Sequence, residues 1–247
     1  MTLGTRVAPR ANVESGMSGA TLTIRDLYVY PVKSAAGIRL TEAPLGMFGI
    51  AGDRRWMFVD ETYRFLTQRE LPRLALVRPL AWEPDLVLSA PGLPDLVVPT
   101  PDTRESTVDV DVWGDHGAAH DAGHAAARWA SICLGRPSRL VYAPDAFLRP
   151  VDPNFDSAAG TPHAARTGFS DGFPLLLIGQ ASLAALNGHL TARGEAPVGM
   201  DRFRPSLVVE GGDAHDEDTW PGLIVGDGGD AIRLDIVKPC ARCAIVP

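Results

Sequence analysis

Short apolar stretches that alternate with polar residues dominate the first half of the chain. Residues 21–32 alternate and are rich in β-branched side chains, which predicts a strand. Residues 38–45 and 56–59 indicate further strands, and 65–67 indicate extended structure. Short apolar pieces separated by Pro, Gly and Asp then recur at 74–77, 86–88, 96–98 and 108–112. Many short strands at this spacing predict a β-barrel or a β-sandwich.

The second half of the chain mixes helices with strands. Residues 121–134 are rich in alanine and predict a helix that Gly135 ends. We expect Ala125, Trp129 and the pair Ile132 and Cys133 to share its buried face. A second helix is predicted at 182–190, and strands at 140–142, 175–178, 203–209, 223–225 and 232–237.

Two stretches lack any periodicity. Residues 1–20 contain Arg6 and Arg10 but no apolar core of a signal peptide, so we interpret them as a disordered leader. Residues 145–168 are polar and rich in proline, which is typical of a lid or binding loop, or else of disorder. The best domain boundary lies near residues 136–139, after the alanine-rich helix.

Composition narrows the classes of function. The net charge of −7 argues against a nucleic-acid-binding protein, which usually carries a basic face. It is compatible with a small anionic ligand held by a few arginines. Three cysteines are too few for a secreted disulfide framework, so we expect a reducing compartment, the cytoplasm. The longest apolar run, 174–178, is too short to cross a membrane.

The last ten residues carry two cysteines, Cys240 and Cys243, beside the cations Lys238 and Arg242. Neighbouring positive charge favours thiolate, the form that binds metals. A zinc site needs two more ligands at metal spacing, and a thioredoxin-like pair needs a helix after the first cysteine. Neither partner is evident in the sequence. Small, inert core residues are the remaining interpretation of the two cysteines.

Three other places put cations at turns or strand ends, where sites usually lie. They are Lys33 with Ser34, the run Asp53-Arg54-Arg55, and the run 201–204. The planar fork of arginine suits phosphate. Each place also fits a solvated charge or a surface ion pair.

At these places the residues carry a family resemblance. The motif YPVKS at 30–34, then GDRRW at 52–56 and TQR at 67–69, resembles the N-terminal β-barrel of MOSC proteins. The motif FRP at 203–205, then GD at 212–213, EDTW at 217–220, GD at 226–227 and KPCARC at 238–243, resembles the MOSC domain itself. The order and spacing of these motifs are similar to those of the mitochondrial amidoxime-reducing component and its bacterial relatives.

The resemblance implies a β-rich α+β fold, with a MOSC-type N-terminal β-barrel domain at 21–138. A mixed β-barrel MOSC domain with a few helices is expected at 139–247. Family members continue past the position of Cys243, so the resemblance implies a short form or a fragment. It also implies a molybdenum–molybdopterin cofactor (Moco), because Cys243 falls on the family position that ligates the metal and acts in catalysis. Cys240 is given no metal role.

The resemblance also implies which residues line the cofactor. Those expected to hold the pterin, its phosphate or the surroundings of the metal are Lys33, Ser34, Arg54, Asp171, Gly172, Phe173, Arg204, Ser206 and Arg242. Ser206 stands where the family commonly has asparagine. Because serine is shorter, we expect a contact through water there.

The implied activity is the reduction of N-hydroxylated compounds by cleavage of an N–O bond. Three cysteines cannot hold a four-cysteine cluster, so the electron donor, an iron–sulfur or flavin protein, is expected to be a separate chain. No nucleic-acid or membrane partner is expected. Two alternatives stay open: sulfur transfer to the cofactor, with a pyridoxal-phosphate desulfurase acting in trans, and non-catalytic carriage of the cofactor.

Overall fold

The structure is a computed structural model that describes residues 6–7, 12–15, 21–102, 106–161, 164–226 and 231–241. In chain order its strands are β1 (Arg6–Val7), β2 (Asn12–Ser15), β3 (Thr21–Val29), β4 (Ile38–Leu40), β5 (Ala43–Gly46), β6 (Gly49–Ile50), β7 (Trp56–Val59), β8 (Arg78–Ala81), β9 (Asp85–Ser89), β10 (Leu96–Pro99), β11 (Thr107–Val112), β12 (Asp115–Asp121), β13 (Arg139–Tyr142), β14 (Leu177–Gly179), β15 (Leu207–Glu210), β16 (Gly222–Val225) and β17 (Ile232–Asp235). The α-helices are α1 (Gly123–Leu134) and α2 (Gln180–Ala192).

The largest sheet joins both ends of the chain. It has seven strands in the order β14-β15-β3-β2-β16-β17, with β4 paired to β3. Leu22, Ile24 and Leu27 of β3 are buried against Leu207 and strands from the C-terminal half. This burial explains why the alternating N-terminal stretch forms a strand, since its apolar face needs a partner surface.

The second sheet has four strands in the order β11-β12-β13-β7. Trp56 and Phe58 of β7 face a core that includes residues of α1, while Met57 and Val59 face the opposite core with Phe169. Because both faces are covered, β7 is a continuous apolar run with every residue buried. The remaining described strands form two three-stranded sheets, β10-β9-β8 and β1-β5-β6.

The β-rich class with two helices is confirmed. Among the described strands, no sheet is seen to close on itself, so the mixed barrel stays a prediction. The domain division at 138 also stays a prediction. β13, just after it, pairs with β7 from before it, and β3 pairs with β15.

Some expectations were wrong. Within residues 1–20, interpreted as a disordered leader, residues 6–7 and 12–15 instead form strands: β1 pairs with β5, and β2 pairs with β3 and β16. The other leader residues lie outside the described part of the chain, and for them the interpretation stays a prediction. The piece at 74–77 is mostly a 3₁₀ helix, Pro72–Leu76, begun by a proline that suits the first helical turn. Of the predicted strand at 203–209, Phe203 belongs to another 3₁₀ helix, Met200–Phe203, and the strand begins only at Leu207.

The buried face of α1 is also shifted from the prediction. Trp129 is buried as expected, but Ile132 is 59% exposed and Leu134 is buried instead. The helix ends as expected at Gly135, whose φ of 72° is left-handed and whose N–H bonds the Ser131 carbonyl. The buried face differs from the prediction because α1 packs on β13, β10 and the Pro72–Leu76 helix, and the positions of these elements determine which side of α1 is buried.

Candidate functional site

Two arginines and one lysine meet where three turns converge. Lys33 follows β3, Arg54 lies between β6 and β7, and Arg204 precedes β15. The backbone N–H of Arg54 donates to the Tyr30 carbonyl at 2.8 Å, and that of Lys33 donates to the Trp56 carbonyl at 2.8 Å. These bonds join the first two turns, which are distant from each other in sequence, into one surface.

The guanidinium groups of Arg54 and Arg204 both lie against the ring of Tyr30. That of Arg54 lies 4.5 Å from the ring centroid, and that of Arg204 lies 4.3 Å from it. Cations are attracted to aromatic faces, and this attraction grows when water is excluded. Burial raises the pKa of the Tyr30 phenol to about 12, against the lowering effect of the two arginines. The phenol therefore stays neutral, so it adds no negative charge to the cations around it.

Asp53 is the buried anion of the cluster. Its carboxylate accepts the Tyr30 N–H at 2.8 Å and a hydrogen bond from Arg54. Burial raises the pKa of Asp53, while the Arg54 guanidinium opposes the rise. Asp53 thus fixes the orientation of Arg54 and of the backbone at Tyr30.

Lys33 is buried and reaches the loop before β14. Its ammonium donates to the Phe169 carbonyl at 2.9 Å and to the Asp171 carboxylate at 2.5 Å. Burial lowers the pKa of Lys33 to about 8, against the raising effect of Asp171. Burial acts to raise the pKa of Asp171, but the Lys33 ammonium, the Trp113 N–H and the Arg54 cation together lower that pKa to about 2. Trp113 also donates to this carboxylate, at 3.0 Å.

Positive charge is crowded in this site. Burial and, to a smaller extent, the nearby Arg54 cation lower the pKa of Arg204 to about 10. Arg204 donates to the Ala35 carbonyl, so most of its five N–H donors have no bond to a described residue. An anion placed here would relieve the repulsion and accept hydrogen bonds from the Arg204 donors that have no described partner. The donor set therefore fits a phosphate.

Backbone strain concentrates at the same place. Within the described part of the chain, six residues other than glycine have positive φ. Four of them line this site or its edge: Ser34 (64°), Arg54 (45°), Trp113 (61°) and Arg204 (55°). Such conformations cost about 1–3 kcal/mol each and persist where the surrounding contacts impose them, often at functional sites. The carbonyl of Ser34 is held by the Gln68 amide at 2.6 Å, which fixes this turn.

The structure thus brings together Lys33, Ser34, Arg54, Arg204 and Asp171. Gly172 is exposed next to Asp171. Phe173 lies farther along, with its ring centroid 5.8 Å from that of Phe155. The Lys238 ammonium is 5.0 Å from the same Phe155 ring, so the chain that leads to Cys243 passes beside this loop.

Ser206 makes its described hydrogen bonds with backbone groups and not with the cations. It is fully buried, and its hydroxyl accepts the Leu176 N–H at 3.3 Å. Its backbone carbonyl accepts the Tyr28 N–H at 3.0 Å. In this structure Ser206 ties β14 to β3, and its role toward a cofactor stays a prediction.

The proposed metal ligand lies outside the described residues, as does Arg242. Cys240 is described and exposed, and its thiol is 3.7 Å from the Ala241 carbonyl. Within the described ranges, no group of three or more His, Cys, Asp or Glu side chains could hold a metal ion. The metal end of the predicted site therefore rests on the family resemblance, whereas the anion end rests on geometry.

Sequence reasoning missed three residues of the site. Tyr30 was predicted only as part of a strand and of a family motif, and Trp113 was given no role. Arg149 falls in the loop without periodicity. No local pattern marks any of them, because their contacts within the site are with residues at least 18 positions away in the chain.

Comparison with known proteins adds the family context. Residues 21–137 match the model of the MOSC N-terminal beta barrel domain, and residues 164–246 match the model of the MOSC domain. Mitochondrial amidoxime-reducing component 1 of Homo sapiens is 33% identical over 230 residues, covering 90% of this chain and 65% of the relative. Mitochondrial amidoxime reducing component 2 of Homo sapiens is 30% identical over 243 residues, with the same two shares.

A third relative is named for a different activity. Molybdenum cofactor sulfurase of Danio rerio is 29% identical over 243 residues, covering 92% of this chain but 28% of the relative. The chain spans less than two thirds of the length of all three relatives. Within the described residues, no helix combines the length and apolarity that crossing a bilayer requires.

Proposed function

The chain is a MOSC-domain protein with a MOSC N-terminal β-barrel domain, and we propose that it is a molybdenum-cofactor-dependent oxidoreductase that reduces N-hydroxylated compounds. The observation that carries the proposal is the cluster of Lys33, Arg54 and Arg204. It combines donors that have no described partner, crowded positive charge and left-handed backbone at positions that match the cofactor-binding motifs. Similarity to two amidoxime-reducing components supports this choice of reaction.

In this proposal the chain's own residues bind and orient the cofactor. Arg54 and Arg204 bind its phosphate, and Asp53 and the Tyr30 ring hold the two guanidinium groups in place. Lys33, kept in position by Asp171, faces the same ligand. Cys243 is proposed as the thiolate ligand of the metal, with Arg242 beside it. When bound, the cofactor supplies the two-electron chemistry that cleaves an N–O bond.

The partners are part of the proposal. The substrate is a small N-hydroxylated molecule, and the electrons come from a separate iron–sulfur or flavin protein. A cytoplasmic location stays a prediction that rests on the cysteine content.

The activity test uses the cofactor-loaded chain with benzamidoxime as substrate and reduced methyl viologen as the electron donor. We expect benzamidine to form with the wild-type chain, and turnover to be lost with Cys243→Ser. Cys240→Ser is the matched control and should retain turnover. A loaded, folded chain that forms no benzamidine would refute the proposal, and so would a fully active Cys243→Ser variant.

Sulfur transfer is the second candidate, favoured by the similarity to the Danio rerio sulfurase. It requires a persulfide on Cys240 or Cys243, supplied in trans by a pyridoxal-phosphate desulfurase. Mass spectrometry of the chain after incubation with such an enzyme and cysteine distinguishes sulfur transfer from reduction of N-hydroxylated compounds. A mass increase of one sulfur atom on either thiol, without benzamidoxime turnover, would favour transfer over reduction.

A further inference from the structure

Arg149 is a buried cation near the site that no sequence motif marks. Its Nε donates to the Asp115 carboxylate at 2.9 Å, at the start of β12. Its Nη1 donates to the Thr167 hydroxyl at 3.1 Å and to the Ser170 carbonyl, and its Nη2 donates to the Asp171 carbonyl at 2.8 Å. One guanidinium therefore connects a hairpin strand with almost every residue of the 167–171 segment.

The 167–171 segment in turn determines the position of Lys33. It supplies both acceptors of the Lys33 ammonium, the Phe169 carbonyl and the Asp171 carboxylate. It also contacts the neighbouring turn, because the Phe169 N–H donates to the Arg54 carbonyl at 2.8 Å. At Gly168 the same carbonyl leaves no room for a side chain, since an added Cβ would lie 2.7 Å from it.

We propose that Arg149 is a positioning residue for the anion site, which holds the 167–171 segment so that Asp171 and the Phe169 carbonyl fix the Lys33 ammonium. The inference rests on the proposed function only in naming the anion as the cofactor phosphate. The planar fork of arginine suits this task, because it donates in several fixed directions at once. A lysine offers a single ammonium on a flexible stem and cannot reach Asp115 and the segment together.

The pKa of Lys33 can show whether Arg149 positions Asp171 or only repels the Lys33 ammonium, because the charges that face Lys33 act on this pKa in opposite directions. They are the Asp171 carboxylate, which raises the pKa of Lys33, and the Arg149 and Arg54 cations, which lower it less. If Arg149 acted only as a nearby charge, its removal would raise the pKa of Lys33. If it positions Asp171, its removal also separates the carboxylate from the ammonium, and the larger effect lowers that pKa. The rings of Phe65 and Trp113 remain over the ammonium and keep it desolvated.

The chain is well suited to this measurement, because its only lysines are Lys33 and Lys238. Labelling with ¹³C,¹⁵N-lysine gives two side-chain NMR signals, and the exposed Lys238 is the internal control. In the wild-type chain we expect one signal to titrate near pH 8. Lys238→Arg identifies it as that of Lys33. Neither cofactor nor activity is needed, so this test and the turnover test fail independently.

The decisive variants are Arg149→Met and Arg149→Lys, compared with Asp171→Asn. We expect the titration midpoint of Lys33 to fall below 8 in all three. A rise with Arg149→Met would overturn the proposal, because it is the sign of lost repulsion alone. Should Arg149→Met fail to fold, Arg149→Lys decides: it keeps the charge, so an unchanged midpoint would overturn the proposal and a lower one would support it.

Discussion

Binding of an anion at the site should be coupled to proton uptake by Lys33. The ammonium is buried among positive charges, and its pKa is lowered to about 8. An anion bound by Arg54 and Arg204 compensates those charges, which favours the protonated form and raises the pKa of Lys33. Affinity for the anion should therefore increase as the pH falls from 9 to 7.

The size of the effect follows from the titration curve. At pH 8 a group with a pKa of about 8 is half protonated, so binding that raises this pKa fully takes up about half a proton per anion. At pH 6.5 the same group is about 3% deprotonated, so almost no uptake is expected. Sulfate is the suitable probe, because it does not titrate in this range, whereas phosphate does.

Isothermal titration calorimetry measures the uptake. Sulfate is titrated into the chain at pH 8 in two buffers of different ionisation enthalpy, and the difference in binding enthalpy gives the protons exchanged. Lys33→Met is the control, in which sulfate binds with no uptake at either pH. Binding by the wild-type chain without uptake at pH 8, or with equal uptake at pH 6.5, would refute the electrostatic account of the site.

Two further changes test the packing. Gly168→Ala should lower the free energy of unfolding by about 1–3 kcal/mol, because the added Cβ would meet the Arg54 carbonyl. In the control Gly172→Ala the Cβ has no neighbour within 4 Å, so the free energy of unfolding should change by less than about 0.5 kcal/mol. Equal effects of the two substitutions in urea denaturation would contradict the close approach at Gly168. Ser206→Ala should cost about 0.5–1.5 kcal/mol, because the partly buried Leu176 N–H loses its hydroxyl partner, and should leave sulfate affinity unchanged. A weaker sulfate affinity with unchanged stability would instead place Ser206 in the anion site.

Local patterns predicted the elements that are bounded by clear signals. The strand β7 has the predicted limits, because a charged turn precedes its four apolar residues and Asp60 follows them. The helix α1 ends at the predicted glycine. Both depend on interactions within a few residues, which the sequence displays directly.

Elements that depend on distant partners were not predictable in this way. The strand β12 contains Asp115, His116 and Gly117 and has no apolar alternation, yet it forms because β11 pairs with it across a tight turn. The turn residue Trp113 has a φ of 61° and Gly114 one of 87°, the left-handed geometry that two-residue hairpins require. Glycine or asparagine is usual at the first of these positions, so tryptophan there gave no turn signal.

In the site, too, the sequence indicated some residues directly, while others depend on contacts between distant segments. Family motifs indicated Lys33, Arg54 and Arg204, and the structure places all three in one cluster. The motifs did not indicate how the cluster is held, because Tyr30 and Arg149 act through contacts with distant segments. Burial and charge crowding, which set the ionisation of Lys33, are likewise properties of the folded chain alone.

The central claim is that Arg204 and its neighbours bind the phosphate of a molybdenum cofactor. The most direct measurement is the molar ratio of molybdenum and pterin to protein, after production with the cofactor supplied, for the wild-type chain and two matched variants. We expect about one cofactor per wild-type chain, roughly tenfold less in Arg204→Gln, which loses charged hydrogen bonds, and the wild-type ratio in Arg202→Gln at an exposed neighbour. Equal cofactor content in Arg204→Gln and the wild-type chain would contradict the account.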